Sequence, residues 1–163
     1  MFNDLWATFS QQFPDNFVSL LTVSTVETIY MSVLSTLIAA LLGLPLGFLT
    51  FLTNKGAILE NKKLNAFLNV IINIGRSIPY IILLLALIPL TSWLLPGGSI
   101  GSNAAIVSLS AAATPFFARL TSNALFEIPT GLTETAKAMG ATNWQIIRKF
   151  DLPESLPTLI NAI

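Results

Sequence analysis

The chain has no cysteine and no histidine. Their absence excludes thiol nucleophiles, disulfides, structural zinc and imidazole acid–base chemistry together, and it leaves the redox compartment unread. Charge is also scarce. Only 10% of the 163 residues are Asp, Glu, Lys or Arg, against roughly 25% in an ordinary soluble domain. Acidic and basic residues balance to a formal net charge of zero, so no basic surface advertises a nucleic-acid partner. No glycine loop of the Walker kind is present to cradle phosphates, and no catalytic residue, cofactor or metal ligand is expected in this chain. Residues 1–17 hold no Lys or Arg and no short apolar core ending in small residues, which does not match a cleaved signal peptide. Membrane insertion is then left to the spans themselves.

What abounds is apolar: 53% of residues are hydrophobic and mean hydropathy is +0.74, a composition that predicts an all-α polytopic membrane protein. Residues 28–52 run without a charge, more than the ~20 apolar residues a helix needs to cross the hydrocarbon core. A start near Val18 places Glu27 at the outer boundary, because a carboxylate at the bilayer centre costs several kcal/mol. Pro45, between Gly43 and Gly47, predicts a kink, tolerated where neighbouring helices satisfy the freed carbonyls. No charge lies between Arg76 and Arg119, and Pro96, Gly97 and Gly98 interrupt that run as a turn. Two further spans are therefore expected, near 77–95 and 100–118. Residues 156–163 are apolar but too few to cross, so they are either interfacial or the opening of another span in a longer protein.

Lys and Arg fix the orientation. Lys55, Lys62 and Lys63 follow the first span, the connection after the second has none, and Arg119, Lys137, Arg148 and Lys149 follow the third. The expected organisation is an outer interfacial segment (1–17), span 1 (18–53), a cytoplasmic loop and amphipathic entry helix (54–75), span 2 (76–95), an outer loop (96–103), span 3 (104–126), a cytoplasmic segment (127–157) and the start of span 4 (158–163). Phe2, Trp6, Phe9 and Phe13 share one helical face and suit an aromatic interfacial anchor, although a frayed terminus fits nearly as well. Asn65, Asn69 and Asn73 form a polar stripe on the entry helix that should face protein or water.

Residues 127–157 read as two short helices joined at a glycine. The first, near 131–139, places Leu132, Ala136 and Met139 on one face, with Gly140 as its left-handed stop. The second opens with Thr142 and Gln145 in a capping-box pattern, carries Trp144, Ile147 and Phe150 on one side and Arg148 and Lys149 on the other, and ends before Pro153. Ala136, Ala138 and Gly140 permit close approach of a partner, with Trp144 as its anchor. Periodicity alone slightly favours the plainer reading, in which these helices pack against the ends of the spans.

Glu134, Thr135 and Ala136, three residues, Gly140, nine residues, Phe150, one residue, then Leu152 and Pro153 resemble the EAA loop of ABC importer permeases. Thr135 stands where that pattern has a second alanine, and Phe150 where it has isoleucine. The first adds a hydroxyl and the second enlarges an apolar contact. Arg76-Ser77-Ile78-Pro79-Tyr80, Pro115-Phe116-Phe117-Ala118-Arg119, Asn123-Ala124-Leu125 and Glu127-Ile128-Pro129-Thr130-Gly131-Leu132 are similar, in the same order, to the methionine importer permeases. The resemblance implies a type I importer permease fold in the bacterial inner membrane, and the Lys and Arg distribution puts the N-terminus outside. The coupling loop would comprise Glu134, Thr135, Ala136, Gly140, Trp144, Phe150, Leu152 and Pro153. It also implies D- and L-methionine as substrates, a second permease copy, an ATPase subunit that binds ATP and magnesium, and an extracytoplasmic methionine-binding lipoprotein. Members continue through further spans after the Leu-Pro, so a C-terminal part is expected to be missing.

Four polar or cyclic residues mark membrane boundaries or a pathway. Arg76 snorkels to the headgroups, Pro79 occupies the first turn of span 2, and Arg119 and Asn123 join Glu127 in a boundary network at the end of span 3. Ser108, Ala111, Ala112 and Thr114 give that span a small-residue packing surface, and Pro115 a static bend. No substrate ligand is assigned. Rival readings are a permease for another small solute, an intramembrane hydrolase and a non-transporting assembly factor. The hydrolase is disfavoured because the spans hold no His, Lys or Asp to activate a hydroxyl.

Overall fold

The computed structural model describes residues 17–95, 100–128 and 130–162. The aromatic stripe of Phe2, Trp6, Phe9 and Phe13 and the turn at Pro96, Gly97 and Gly98 lie outside them. The described residues form helices and short connections. Helix α1 spans Phe17–Leu52, α2 Lys62–Ser77, α3 Tyr80–Leu94, α4 Ser102–Phe126, α5 Thr130–Ala138, α6 Asn143–Ile146 and α7 Leu152–Ala162, with a π-helical turn at Ile147–Asp151 between the last two.

Helix α1 has 36 residues and so rises about 54 Å at ~1.5 Å per residue. Hydroxyls along it find partners in their own helix: Thr25 donates to the Leu21 carbonyl and Thr28 to that of Ser24, each at 2.7 Å. Such back-bonding lets polar side chains sit in an apolar helix without an unmet donor. Pro45 lies inside α1 without ending it. A tight loop follows, held by the Leu59 amide on the Leu52 carbonyl and the Asn61 amide on that of Thr53, both at 3.0 Å. Asn61 then caps α2 by accepting the Leu64 amide at 3.1 Å.

The entry helix and the second span are separate helices with a sharp break between them: α2 ends at Ser77, Ile78 is extended (φ −76°, ψ 122°), and α3 begins at Tyr80 after a bend of 106°. Proline explains the break, because its ring excludes the preceding residue from the helical region. Pro79 is the N-cap of α3 rather than a residue of its first turn, and its carbonyl accepts the amides of Ile82 and Leu83. With 15 residues, α3 rises about 22 Å, less than the ~30 Å hydrocarbon core. Among the described residues α1 and α4 are each long and apolar enough to cross a membrane, and α2 with α3 passes only as a bent pair.

Helix α4 is central, packing against α1, α2, α3 and α7. Its closest approach is to α1. A Cβ added at Gly43 would lie 2.5 Å from Phe117 Cβ and 2.8 Å from the Thr114 carbonyl. One added at Gly47 would overlap the Ala118 carbonyl and lie 2.5 Å from Thr121 Cβ. Sequence reading treats these glycines as neighbours of a kinking proline; the structure makes them the contact that brings two backbones together, the usual role of small residues between membrane helices. Ser108 of the expected small-residue surface is buried, whereas Ala111, Ala112 and Thr114 are half-buried. Ser122 Oγ is the one buried side-chain polar atom without a partner among the described residues. An unmet buried hydroxyl contributes desolvation cost and no hydrogen bond. Ser122→Ala is therefore expected to leave the thermal unfolding midpoint in detergent unchanged or raised, and a clear fall would show that the hydroxyl has a partner in the assembled protein.

Candidate functional site

The elbow after α4 is built by local signals. The Ala141 amide donates to the Ala136 carbonyl at 3.0 Å and the Gly140 amide to that of Lys137 at 2.9 Å. With Gly140 at φ +79°, this pair is a Schellman stop, in which only glycine turns left-handed without steric cost. Thr142 then opens α6. Its backbone amide reaches Gln145 Oε1 at 2.9 Å, and its hydroxyl accepts the Gln145 amide at 3.4 Å. The two caps fix the angle between α5 and α6 over four intervening residues, where each helix alone is too short to be stable.

The faces of these helices differ from the periodic expectation. Ala136 is buried, but Met139 is 78% exposed, because it sits at the departure from helical geometry just before Gly140; the side chain of Leu132 lies outside the described ones. On the second helix the fully buried residue is Ile146, while Ile147 and Phe150 are half-buried and Trp144 is 67% exposed. Glu134, Thr135, Gly140, Leu152 and Pro153 are also exposed. The Thr135 hydroxyl donates to the Gly131 carbonyl at 2.7 Å, so this departure from the family pattern folds back on its own helix.

The second helix does not end before Pro153. It passes through the π turn into α7, which contains Pro153 and Pro157. In the turn the Leu152 amide donates to the Ile147 carbonyl, five residues back. This wider ring sets the proline in the first turn of a renewed α-helix, where its missing amide removes little.

Beside the elbow, a polar chain joins three helices. Arg119 of α4 donates through Nη1 to Asn69 Oδ1 at 3.2 Å. Asn69 Nδ2 donates to the Asn65 carbonyl at 2.9 Å, and Asn65 Nδ2 to the Thr50 carbonyl at 2.7 Å and Thr53 Oγ1 at 3.3 Å. The stripe on the entry helix thus faces protein at Asn65 and Asn69, while Asn73 is exposed. The expected network of Arg119 with Asn123 and Glu127 does not form: both are exposed, and the acceptor comes from α2 instead. Arg76 is exposed at the end of α2.

Sequence reading missed a cleft of about 390 Å³ between the α1–α2 loop, the end of α4 and α5. Phe51 and Phe126, edge to face at 5.3 Å between ring centroids, line it together with Lys55, Glu134 and Lys137. Residues so far apart in sequence leave no local pattern. Among the described residues no group of three or more acidic side chains is placed to hold a metal.

An apolar two-helix crossing, a broken helix beside it and a doubly capped elbow make up an all-helical fold, that of the ABC importer permeases. The chain belongs to the family of binding-protein-dependent transport system inner membrane components, whose model matches residues 43–163. It is 63% identical over 141 residues to the "Probable D-methionine transport system permease protein MetI" of Pasteurella multocida, covering 86% of this chain and 64% of that protein. To the D-methionine transport system permease protein MetI of Escherichia coli K12 it is 52% identical over 136 residues, 83% of this chain and 62% of that one. The chain thus spans a little under two thirds of the length of these relatives. A solved structure of the MetNI methionine ABC transporter in an inward-facing conformation superposes with a TM-score of 0.86 at 48% identity, over 92% of this chain and 69% of that one.

Proposed function

We propose that this chain serves as the translocation subunit of an ATP-driven importer that carries D- and L-methionine across the cytoplasmic membrane by alternating access. The elbow of residues 134–153 carries the reading. It is rigid because both of its joints are capped, and it presents Trp144 and Met139 unburied. An ATPase subunit that binds ATP and magnesium grips this elbow, so closure of two ATPases draws two elbows together and rearranges the spans of two permease copies. Methionine arrives from an extracytoplasmic lipoprotein. No bond is made or broken by this chain; hydrolysis resides in the partner. The charge distribution supports an outer N-terminus and an inner elbow, and the relatives' names support the substrate.

Residues 1–163 hold no cysteine, so with any cysteine elsewhere in the full-length protein replaced, sidedness is testable at one site. In the full-length protein Asn143→Cys is expected to react with a membrane-impermeant maleimide only after cells are opened, and cells carrying the system should take up labelled methionine with competition by its D-form. Labelling of intact cells would overturn the topology; equal competition by unrelated amino acids would overturn the substrate.

A further inference from the structure

The cleft beside the elbow lies where the two long apolar helices end, at Leu52 and Phe126. Its walls are of two kinds. Phe51, Phe126 and Ile128 supply an apolar side that continues from the helices, and Lys55 and Lys137 line the cleft from two separate elements, with Glu134 on the same lining. The ammonium group of neither lysine has an ion-pair or hydrogen-bond partner among the described residues. Its volume, about 390 Å³, falls within the ~300–1,000 Å³ of ordinary ligand pockets.

We infer that this cleft binds one anionic phospholipid of the cytoplasmic leaflet, its phosphate between Lys55 and Lys137 and the upper part of an acyl chain against Phe51 and Phe126. Charge selects the occupant. Two ammonium groups and one carboxylate leave a single net positive charge, which one phosphodiester neutralises, and Glu134 repels a second anion. A free phosphate would leave the aromatic wall uncovered, whereas a lipid covers it. Basic pockets between membrane helices at the cytoplasmic face take headgroups for this reason. The site links the α1–α2 loop to α5, so an occupant braces the elbow against the body of the protein. The inference rests on the inner placement of the elbow proposed above.

Native mass spectrometry of the full-length permease with its ATPase, titrated with phosphatidylglycerol, phosphatidylethanolamine and soluble glycerol phosphate, tests it. The expected result is one retained phosphatidylglycerol per permease chain. In the Lys55→Gln, Lys137→Gln double variant its binding should weaken by roughly tenfold or more, with rescue in Lys55→Arg, Lys137→Arg and no change in Lys149→Gln. Equal retention of both lipids, unchanged retention in the glutamine variant, or equal competition by glycerol phosphate would each overturn the site. Labelling of Asn143→Cys separates the two failures. Inner labelling with unchanged retention removes the lipid site alone, and outer labelling removes the transport reading with it.

Discussion

Gly47→Leu is expected to prevent accumulation of the folded protein in the membrane. A Cβ alone at this position overlaps the Ala118 carbonyl, which belongs to the backbone of α4 and cannot swing aside. The helices would have to separate, which also opens the contact of Gly43 with Phe117 and Thr114. Overpacking in a well-filled core costs about 1–3 kcal/mol when side chains can yield. Here a main chain must yield, so the loss should reach or exceed that range. Close approach matters more in lipid than in water, since the hydrophobic effect does not drive two apolar helices together there. Gly131→Ala is the control. Among the described residues nothing lies within 4 Å of the added methyl, the position is in the first turn of α5, and the change should stabilise by at most about 0.5–1 kcal/mol. Membrane yield and unfolding midpoint in detergent read both, and a Gly47→Leu protein with a normal midpoint would refute the crossing.

Gly140→Val acts differently: the protein should accumulate, but transport-coupled ATP hydrolysis should fall by about tenfold or more. Among the described residues nothing lies within 4 Å of a Cβ at Gly140, so space is no obstacle, but its φ of +79° is. A left-handed conformation costs an ordinary L-residue roughly 1–2 kcal/mol, and a β-branched one more. Valine would release the Schellman stop and change the angle between α5 and α6, while the α1–α4 core lies elsewhere. Gly140→Asn, which tolerates the left-handed region better, should keep more activity than valine. Unchanged co-purification with the ATPase together with unchanged coupled hydrolysis in Gly140→Val would defeat the coupling role of the elbow.

Features written within a few adjacent residues were legible before any coordinates. Gly140 as a helix stop and Thr142 with Gln145 as a capping box depend on spacings of three to five residues, and the structure places them so. The long helices α1 and α4 follow from charge-free runs. Legibility failed where a residue's part depends on distant neighbours. Gly43 and Gly47 gave a small-residue spacing that the adjacent Pro45 overshadowed, and only the position of α4 shows their purpose. Arg119 turned to Asn69, 50 positions away, rather than to the polar residues one and two turns along its own helix. Ile146, which the sequence did not single out, is the residue of that helix buried within the chain, because a four-residue helix between a cap and a π turn has too few turns to establish a period. Pro153 misled as a helix end, since a proline-tolerant π turn has no simple sequence signature. The cleft lined by Lys55, Glu134 and Lys137 was invisible for the same reason as the glycine crossing.

The bend of 106° between α2 and α3 has a consequence for the shape the protein imposes on its surroundings. Two helices at nearly a right angle cannot both stand upright: α2 runs beside the crossing helix α4, with Asn69 on Arg119 and Gly75 against Pro115, so the 15 residues of α3, about 22 Å of helix, must lean away from the direction of that crossing. A short helix leaning in this way leaves room beside the crossing pair that a straight span would fill.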